Sequence, residues 1–275
     1  MRALIDADAL VFRMTIAVQE VHPFTGAILG ASHDDAWGLI QLRLKEVEEC
    51  LFEEFGERID LDLHFSDKTN FRYRVDPNYK SNRKGMDKPI LYNDIMEKCI
   101  RNYDCTIHTD VEADDTMGLY QDKKGRTTCI VSPDKDMKQI EGYHLNLNKI
   151  PDGVELVTAD EGYQFFLTQC IAGDPTDGYA GCPTMGMKKS KAWLEKFGYT
   201  WDSVVRAYEA CMSPKTARLK KPNGKYTTKR LAQHSLGLGE EDALRTARCA
   251  FILNDWQYYN LDKQEVKLWT PKSLT

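Results

Sequence analysis

Nine acidic side chains stand out by type and spacing: Asp6, Asp67, Glu112, Asp114, Asp115, Asp134, Asp136, Asp174 and Asp177. Most fall where an apolar segment ends or a helical pattern begins, and all offer the oxygen donors that hard divalent cations take. Within Glu112-Ala-Asp114-Asp115, the first and last acids lie three apart and share a helix face. Asp114 projects elsewhere and could serve a different ion or a bound water. Two ions roughly 3.5–4 Å apart can stabilise both the attacking and the leaving oxygen of phosphodiester hydrolysis, and they need a dense acidic cluster to hold them. Solvated or capping acids are the plainer reading of any one of these residues. Capping, however, places one acid per helix, not three within four residues.

The elements that must position these acids alternate between strand and helix. Ala3, Leu4 and Ile5 run into Asp6 as a short buried strand. Trp37, Ile40, Leu44, Val47 and Leu51 recur at helical intervals over 34–55, up to Gly56. Residues 59–66 alternate apolar and polar side chains before Asp67, residues 128–132 lead into Asp134 and Asp136, and 143–147 is a candidate fourth strand. The expected fold is α/β, with a mostly parallel central sheet flanked by helices. Ligands of such sheets lie beyond the carboxyl ends of the strands, where Asp6, Asp67, Asp134 and Asp136 would collect.

The second half is expected to be helix, loop, helix. Thr158 and Glu161 have capping-box spacing ahead of a helix ending at Gly173, a Gly/Pro/Asp-rich loop follows, and a second helix spans 187–198. This divides the chain into a core over 1–157, with an arch-like segment over about 71–105, and a helix-loop-helix region over 158–275 that closes with a helix at 240–253 and a hairpin at 256–269.

The total charge of −5 does not announce a nucleic-acid binder, so basic residues matter only where they cluster. Asp76-Pro77 reads as a helix start that would put Lys80, Arg83 and Lys84 on one face as a phosphate-binding stripe. Tyr79 is placed to stack on a base or ribose, and Arg72 and Arg74 extend the patch. Gly181 and Gly186 would let backbone approach a phosphate, with Lys188, Lys189 and Lys191 around a helix N-terminus. Residues 211–235 carry seven Lys or Arg and no acid, a second duplex contact or a solvated loop. A solvated helix face is the plain alternative for the stripe. No side chain is set to read bases, so backbone binding with strong salt dependence is expected.

The eight cysteines form no CxxC pair and are expected to be buried free thiols in a reducing compartment. No apolar run reaches membrane-spanning length and the N-terminus lacks signal-peptide features, so a cytoplasmic protein with no membrane partner is expected.

In the motifs LIDAD, FSDK, EADD, SPDKD and AGDPTDG, the chain resembles the 5'-nucleases, the family of flap endonucleases and of the 5'-3' exonuclease domains of bacterial DNA polymerases. VDPNYKSNRK, GDPTDGYAG and ILNDWQYYNLDKQEVKLW are similar to the exonucleases of T7-like bacteriophages. The resemblance implies a PIN-like 5'-nuclease fold. It implies that the nine acids ligate two or three divalent ions, Mg²⁺ with Mn²⁺ as a substitute, and that K⁺ sits at the helix-loop-helix. It implies an arch helix in which Lys80 and Arg83 draw the scissile phosphate onto the metals. The activity implied is structure-dependent 5'-3' exonuclease, with flap-endonuclease and RNase H activity on primers, acting on double-stranded DNA with 5' ends or flaps and on RNA–DNA hybrid. Its setting would be phage DNA replication in the cytoplasm of an infected bacterium.

This chain departs from the family's glycine turn by carrying Thr184 and Met185 where the pattern has Gly and Ile, which puts the backbone shape of that turn in question. Asp8 lies outside the family's ligand set and is read as a supporting or surface acid. Two rivals are weighed. One is a DNA-binding protein of the same fold that has lost cleavage. The other is an aspartate-nucleophile phosphatase using Asp6 and Asp8, which an Asp8→Asn change would abolish while leaving a nuclease largely active.

Overall fold

The computed structural model describes residues 1–83, 85–124, 127–211, 219–220, 226–227 and 239–271. Two compact units divide the chain. The first comprises Met1–Asn70, Gly85–Ala159 and Ile252–Val266, and the second Phe71–Lys84, Asp160–Phe251 and Lys267–Thr275.

In the first unit, strand β1 (Arg2–Asp6) runs directly into helix α1 (Ala7–Ala17). A short hairpin, β2 (Gln19–Val21) and β3 (Ile28–Ala31), leads to α2 (His33–Phe55). The helix starts where Ser32 Oγ accepts from Asp35 N and stops where Gly56 takes a left-handed φ of 69°. Strand β4 (Asp60–His64) follows, and after a passage through the second unit that contains α3 (Arg72–Val75) come α4 (Tyr92–Asn102) and β5 (Asp104–Thr106). Helix α5 (Ala113–Tyr120) and strands β6 (Thr128–Val131), β7 (Gly142–Leu145) and β8 (Val154–Val157) complete this unit's main elements.

The sheet order is β5-β4-β1-β6-β7-β8, and every pairing is parallel except β7 with β8. β1 lies at the centre, and its middle residues Ala3, Leu4 and Ile5 are all apolar because both its faces are covered. Ala3 and Ile5 join the core against α1, α2 and α4, while Leu4 faces Met117, Ile130, Met137, Ile140 and Ile252. The in-register pairs Asp6↔His64 and Ile5↔Val131 bring the ends of three parallel strands to one edge. The α/β architecture and mostly parallel sheet expected from the alternating segments are therefore present. The sequence pattern missed β2, β3, β5 and the antiparallel edge strand β8, all of them four residues or shorter.

The second unit packs α3, α6 (Ala159–Ala172), α7 (Met187–Phe197), α8 (Trp201–Cys211) and α9 (Glu240–Ala250). Phe166, Trp201, Phe251 and Trp269 form its aromatic core through tilted and edge-on contacts. Between α6 and α7 the antiparallel pair Gly173–Asp174 and Tyr179–Ala180 closes a tight loop.

Three expectations need correction. No α-helix begins at Asp76: Asp76 Oδ1 instead accepts from Asn78 N at 2.9 Å, and Lys80 takes a left-handed φ of 50°. Only a 3-10 turn, Ser81–Arg83, follows, so Lys80 and Arg83 do not stand on one face of an α-helix, and the third member of the stripe, Lys84, lies outside the described residues. The C-terminal hairpin is shorter than expected, pairing Tyr259–Asn260 with Glu265–Val266 after a 3-10 turn. Six of the cysteines are free, but Cys182 is disulfide-bonded. The basic stretch 211–235 lies almost entirely outside the described residues.

Candidate functional site

Asp6 is the last residue of β1 and the N-cap of α1, accepting from Ala9 N at 2.9 Å. Its other oxygen accepts from Ser132 Oγ at 2.9 Å, and Ser132 Oγ in turn accepts from Asp134 N at 3.1 Å. One hydroxyl thus ties the ends of β1 and β6 together. Burial pushes the Asp6 carboxyl up to about 6. The hydrogen bonds from Ala9 and Ser132 oppose that rise, and the neighbouring charges of Asp8 and Asp134 add to it. Asp134 is exposed and accepts from Asp136 N at 2.8 Å, while Asp136 lies 4.0 Å from Lys135 Nζ.

Asp67 leaves β4 by a different route. Its backbone N–H donates to Val111 O, and its carboxylate accepts from Thr69 Oγ1 at 2.6 Å and from Asp110 N at 2.9 Å. Burial would raise its pKa, but the hydrogen bonds from Asp110, Thr69 and Lys68 outweigh burial and hold it below the ordinary carboxylate value. Asp110 sits at a left-handed φ of 67°, which aims its N–H at Asp67.

At the start of α5, Glu112 and Asp115 form a reciprocal capping box, with Asp115 also accepting from Leu253 N at 3.0 Å. Asp115 is completely buried and holds the helix start in place, whereas Glu112 and Asp114 are half-buried. Gly118 explains how the 252–253 segment comes this close, because a Cβ there would lie 2.3 Å from Leu253 O.

In the second unit, Asp174 is buried and accepts from Thr176 N at 2.6 Å. Asp177 gathers the two cations singled out in the sequence: Arg83 donates to it at 2.6 Å and Lys80 Nζ lies 3.9 Å away. Lys80 N also donates to Asp177 O, and Asn82 donates to Thr176 O at 3.0 Å, so the 78–83 turn is pinned to the acidic loop. Gly178 makes the approach possible, since a Cβ there would meet Asn78 O at 2.7 Å.

Of the expected DNA contacts, two point inward. Arg72 is 2% exposed and donates to Cys249 O and Phe251 O, and Tyr79 is 2% exposed, stacked on Tyr179. Neither side chain extends a surface patch, because a long cation beside aromatic rings was drawn into the core, where backbone carbonyls satisfy it. Lys84 lies outside the described residues. A Cβ at Gly181 would lie 2.3 Å from the backbone of Ala172 and Gly173, so its missing side chain serves chain crossing. Gly186, the N-cap of α7, has nothing within 4 Å of a Cβ position. Lys188 and Lys189 are exposed, with Lys189 Nζ donating to Thr184 O at 3.1 Å. Thr184 adopts φ 68°, so the turn keeps a glycine-like backbone shape despite a β-branched residue.

Among the described residues, no three His, Cys, Asp or Glu side chains are already arranged as a cation cage. The donor set of the first unit nevertheless suits one: it consists of hard carboxylate oxygens, and the acids beside buried Asp6 raise its pKa further. Three residues that organise these acids escaped sequence reasoning as such: Ser132, Ser66 and Tyr92. Their one local signal is position, a hydroxyl residue within two residues of a strand's end for the two serines.

A parallel sheet with acids at the carboxyl ends of its central strands is a frame on which a ligand site is commonly built. The chain belongs to the 5'-3' exonuclease family, whose N-terminal, resolvase-like domain model matches residues 1–164. It is 30% identical over 223 residues to the exodeoxyribonuclease of Enterobacteria phage T3, covering 77% of this chain and 73% of that protein. It is 29% identical over 235 residues to the exonuclease of Escherichia phage T7, covering 76% and 73%. Its fold matches a solved pseudo-enzyme–product complex of the phage T5 flap endonuclease with DNA and metal ions. That match has a TM-score of 0.59 at 16% identity, over 92% of this chain and 89% of the other.

Proposed function

We propose that the protein is a structure-dependent 5'-3' exodeoxyribonuclease with flap-endonuclease activity, hydrolysing phosphodiesters near 5' ends with two divalent ions, Mg²⁺ in the cell. The observation that carries this reading is the carboxylate array of the first unit, in which Ser132 joins Asp6 to the Asp134 turn and Asp67 is bolted to the loop before α5. Asp6, Asp67, Glu112, Asp114, Asp115, Asp134 and Asp136 would hold the cations, with Asp174 and Asp177 the remaining members of the nine-acid ligand set that the family resemblance implies. When bound, the ions supply an activated water and neutralise the leaving oxygen.

The chain's own residues then have separate tasks. Asp115 holds the start of α5 through Glu112 N and Leu253 N, fixing where Glu112 and Asp114 project. Lys80 and Arg83 stabilise phosphate charge electrostatically once substrate replaces their contact with Asp177. Gly186, Lys188 and Lys189 at the start of α7 contact duplex backbone, with K⁺ bound in that turn. RNase H activity on primers, and a place in phage DNA replication inside the infected cell, follow from the same reading. Asp8 is clasped by Ser66 N and the Tyr92 hydroxyl, a structural role that supports the nuclease reading over the phosphatase one.

The test is cleavage of a 5'-labelled duplex and a 5'-flap substrate with and without Mg²⁺, for the wild type, Asp134→Ala and Lys80→Ala. Metal-dependent release of short 5' products, lost in Asp134→Ala and weakened in Lys80→Ala, is expected. Tight DNA binding without product under Mg²⁺ or Mn²⁺ would favour a binding protein that has lost cleavage.

A further inference from the structure

We propose that Asp8 and Tyr92, neither of them among the nine acids, are positioning residues that set the geometry of the metal-binding carboxylates. The inference deepens the nuclease reading and rests on it for what the carboxylates bind. Asp8 sits in the first turn of α1, two residues past Asp6. One of its oxygens accepts from Ser66 N at 2.8 Å, and the other accepts from the Tyr92 hydroxyl at 2.5 Å. Tyr92 is 1% exposed and stands at the start of α4, so its ring is held in the core and its hydroxyl has a fixed place. Ser66 passes the connection on: its Oγ accepts from Ala113 N at 3.0 Å, at the first residue of α5.

The result is one chain of hydrogen bonds, from Tyr92 to Asp8 to Ser66 to Ala113. It joins the three segments that carry Asp6, Asp67 and the Glu112–Asp115 run. Ser66 directly precedes Asp67, and Ala113 lies between Glu112 and Asp114. A shift at Asp8 therefore reaches ligands on two other elements. Partners of this kind orient carboxylates that must not drift apart under mutual repulsion, and removing them typically costs about 10–100-fold in metal affinity or activity. Asp8 is assigned a positioning role because its two hydrogen bonds tie α1 to Ser66 and to Tyr92, and the count of bound ions below separates that role from ligation.

The experiment compares full-length wild type, Asp8→Ala, Asp8→Asn and Tyr92→Phe in two readouts. The first is amide exchange at Ala113 in metal-free protein, and the second is Mn²⁺ binding by electron paramagnetic resonance without DNA. Asp8→Ala should speed Ala113 exchange by tenfold or more and weaken Mn²⁺ affinity about tenfold, with the number of ions unchanged. Asp8→Asn keeps an acceptor for Ser66 N and should stay within about threefold of wild type, with Tyr92→Phe between the two. Unchanged Ala113 exchange in Asp8→Ala, or unchanged Mn²⁺ affinity with only a lower melting temperature, would overturn the proposal. Loss of one bound ion would also overturn it, by making Asp8 a ligand. Failure of the wild type to bind Mn²⁺ would sink the nuclease reading, and the exchange readout would still decide whether Asp8 positions α5.

Discussion

Replacing Asp6 with Asn should make the metal-free protein more stable while destroying its metal-dependent activity. Asp6 is buried, and its carboxyl is pushed from the ordinary 3.8 up to about 6 by burial and by the charges of Asp8 and Asp134, against the hydrogen bonds from Ala9 and Ser132. A difference of about two pH units, at roughly 1.4 kcal/mol each, is on the order of 3 kcal/mol. The folded state binds this proton more tightly than the unfolded state. The ionised carboxylate therefore destabilises the fold fully above about pH 6, and that cost disappears as pH falls below the ordinary value of 3.8. Asn keeps the acceptor for Ala9 N, and its amide can donate to Ser132 Oγ, so the substitution removes charge with little change of shape. Denaturant unfolding in EDTA should show Asp6→Asn more stable by about 1–3 kcal/mol at pH 7.5, with the two proteins converging near pH 4. Added Mg²⁺ should raise the stability of the wild type and leave the variant nearly unmoved. A variant less stable than wild type at pH 7.5, with an unchanged pH profile, would refute the claim that this carboxylate is held at a cost that a cation relieves.

Asp177→Asn should release Lys80 and Arg83 from their acid: fluorescence anisotropy in EDTA should show tighter DNA binding with a steeper salt dependence, by about one or two phosphates, while cleavage falls. Thr184→Gly should stabilise the protein by about 1 kcal/mol in thermal melts, because a β-branched residue at φ 68° is strained where glycine is not. Gly118→Ala should destabilise by about 2 kcal/mol or more despite its better helix propensity, since the new Cβ would sit 2.3 Å from Leu253 O; unchanged melting would contradict the close packing at α5. Arg72→Ala should lower stability by about 2–4 kcal/mol through two orphaned carbonyls, with no change in the salt slope of DNA binding, which a phosphate contact would alter.

Much of the first unit was legible because a central parallel strand must be apolar on both faces. Ala3-Leu4-Ile5 announces such a strand, and the acid that follows it then falls at the sheet's carboxyl edge. Helix α2 was equally plain, since a long one-sided apolar stripe between Ser32 and Gly56 has only one sensible fold. Short edge strands such as β5 and β8 escaped, because three or four residues do not make a period. The 76–84 segment misled for a different reason. Asp-Pro is as good a turn as a helix start, and the left-handed Lys80 is fixed by Asp177, almost a hundred residues away, which no local pattern records. Arg72 and Tyr79 looked like surface groups by composition, and only tertiary contacts reveal that their polar ends are satisfied inside. The acids themselves were visible. The hydroxyls and amides that hold them, Ser66, Ser132 and the Asp110 N–H, were not, because such bonds join residues distant in sequence.

The most direct test of the central claim is anomalous diffraction from crystals of the protein soaked in Mn²⁺, with Asp6→Asn crystals as control. The account predicts Mn²⁺ within coordinating distance of Asp6 and Asp134 at the carboxyl edge of the sheet, and loss of that signal in the variant. Ordered Mn²⁺ bound elsewhere, with the Asp6 and Asp134 carboxylates bare, would contradict it.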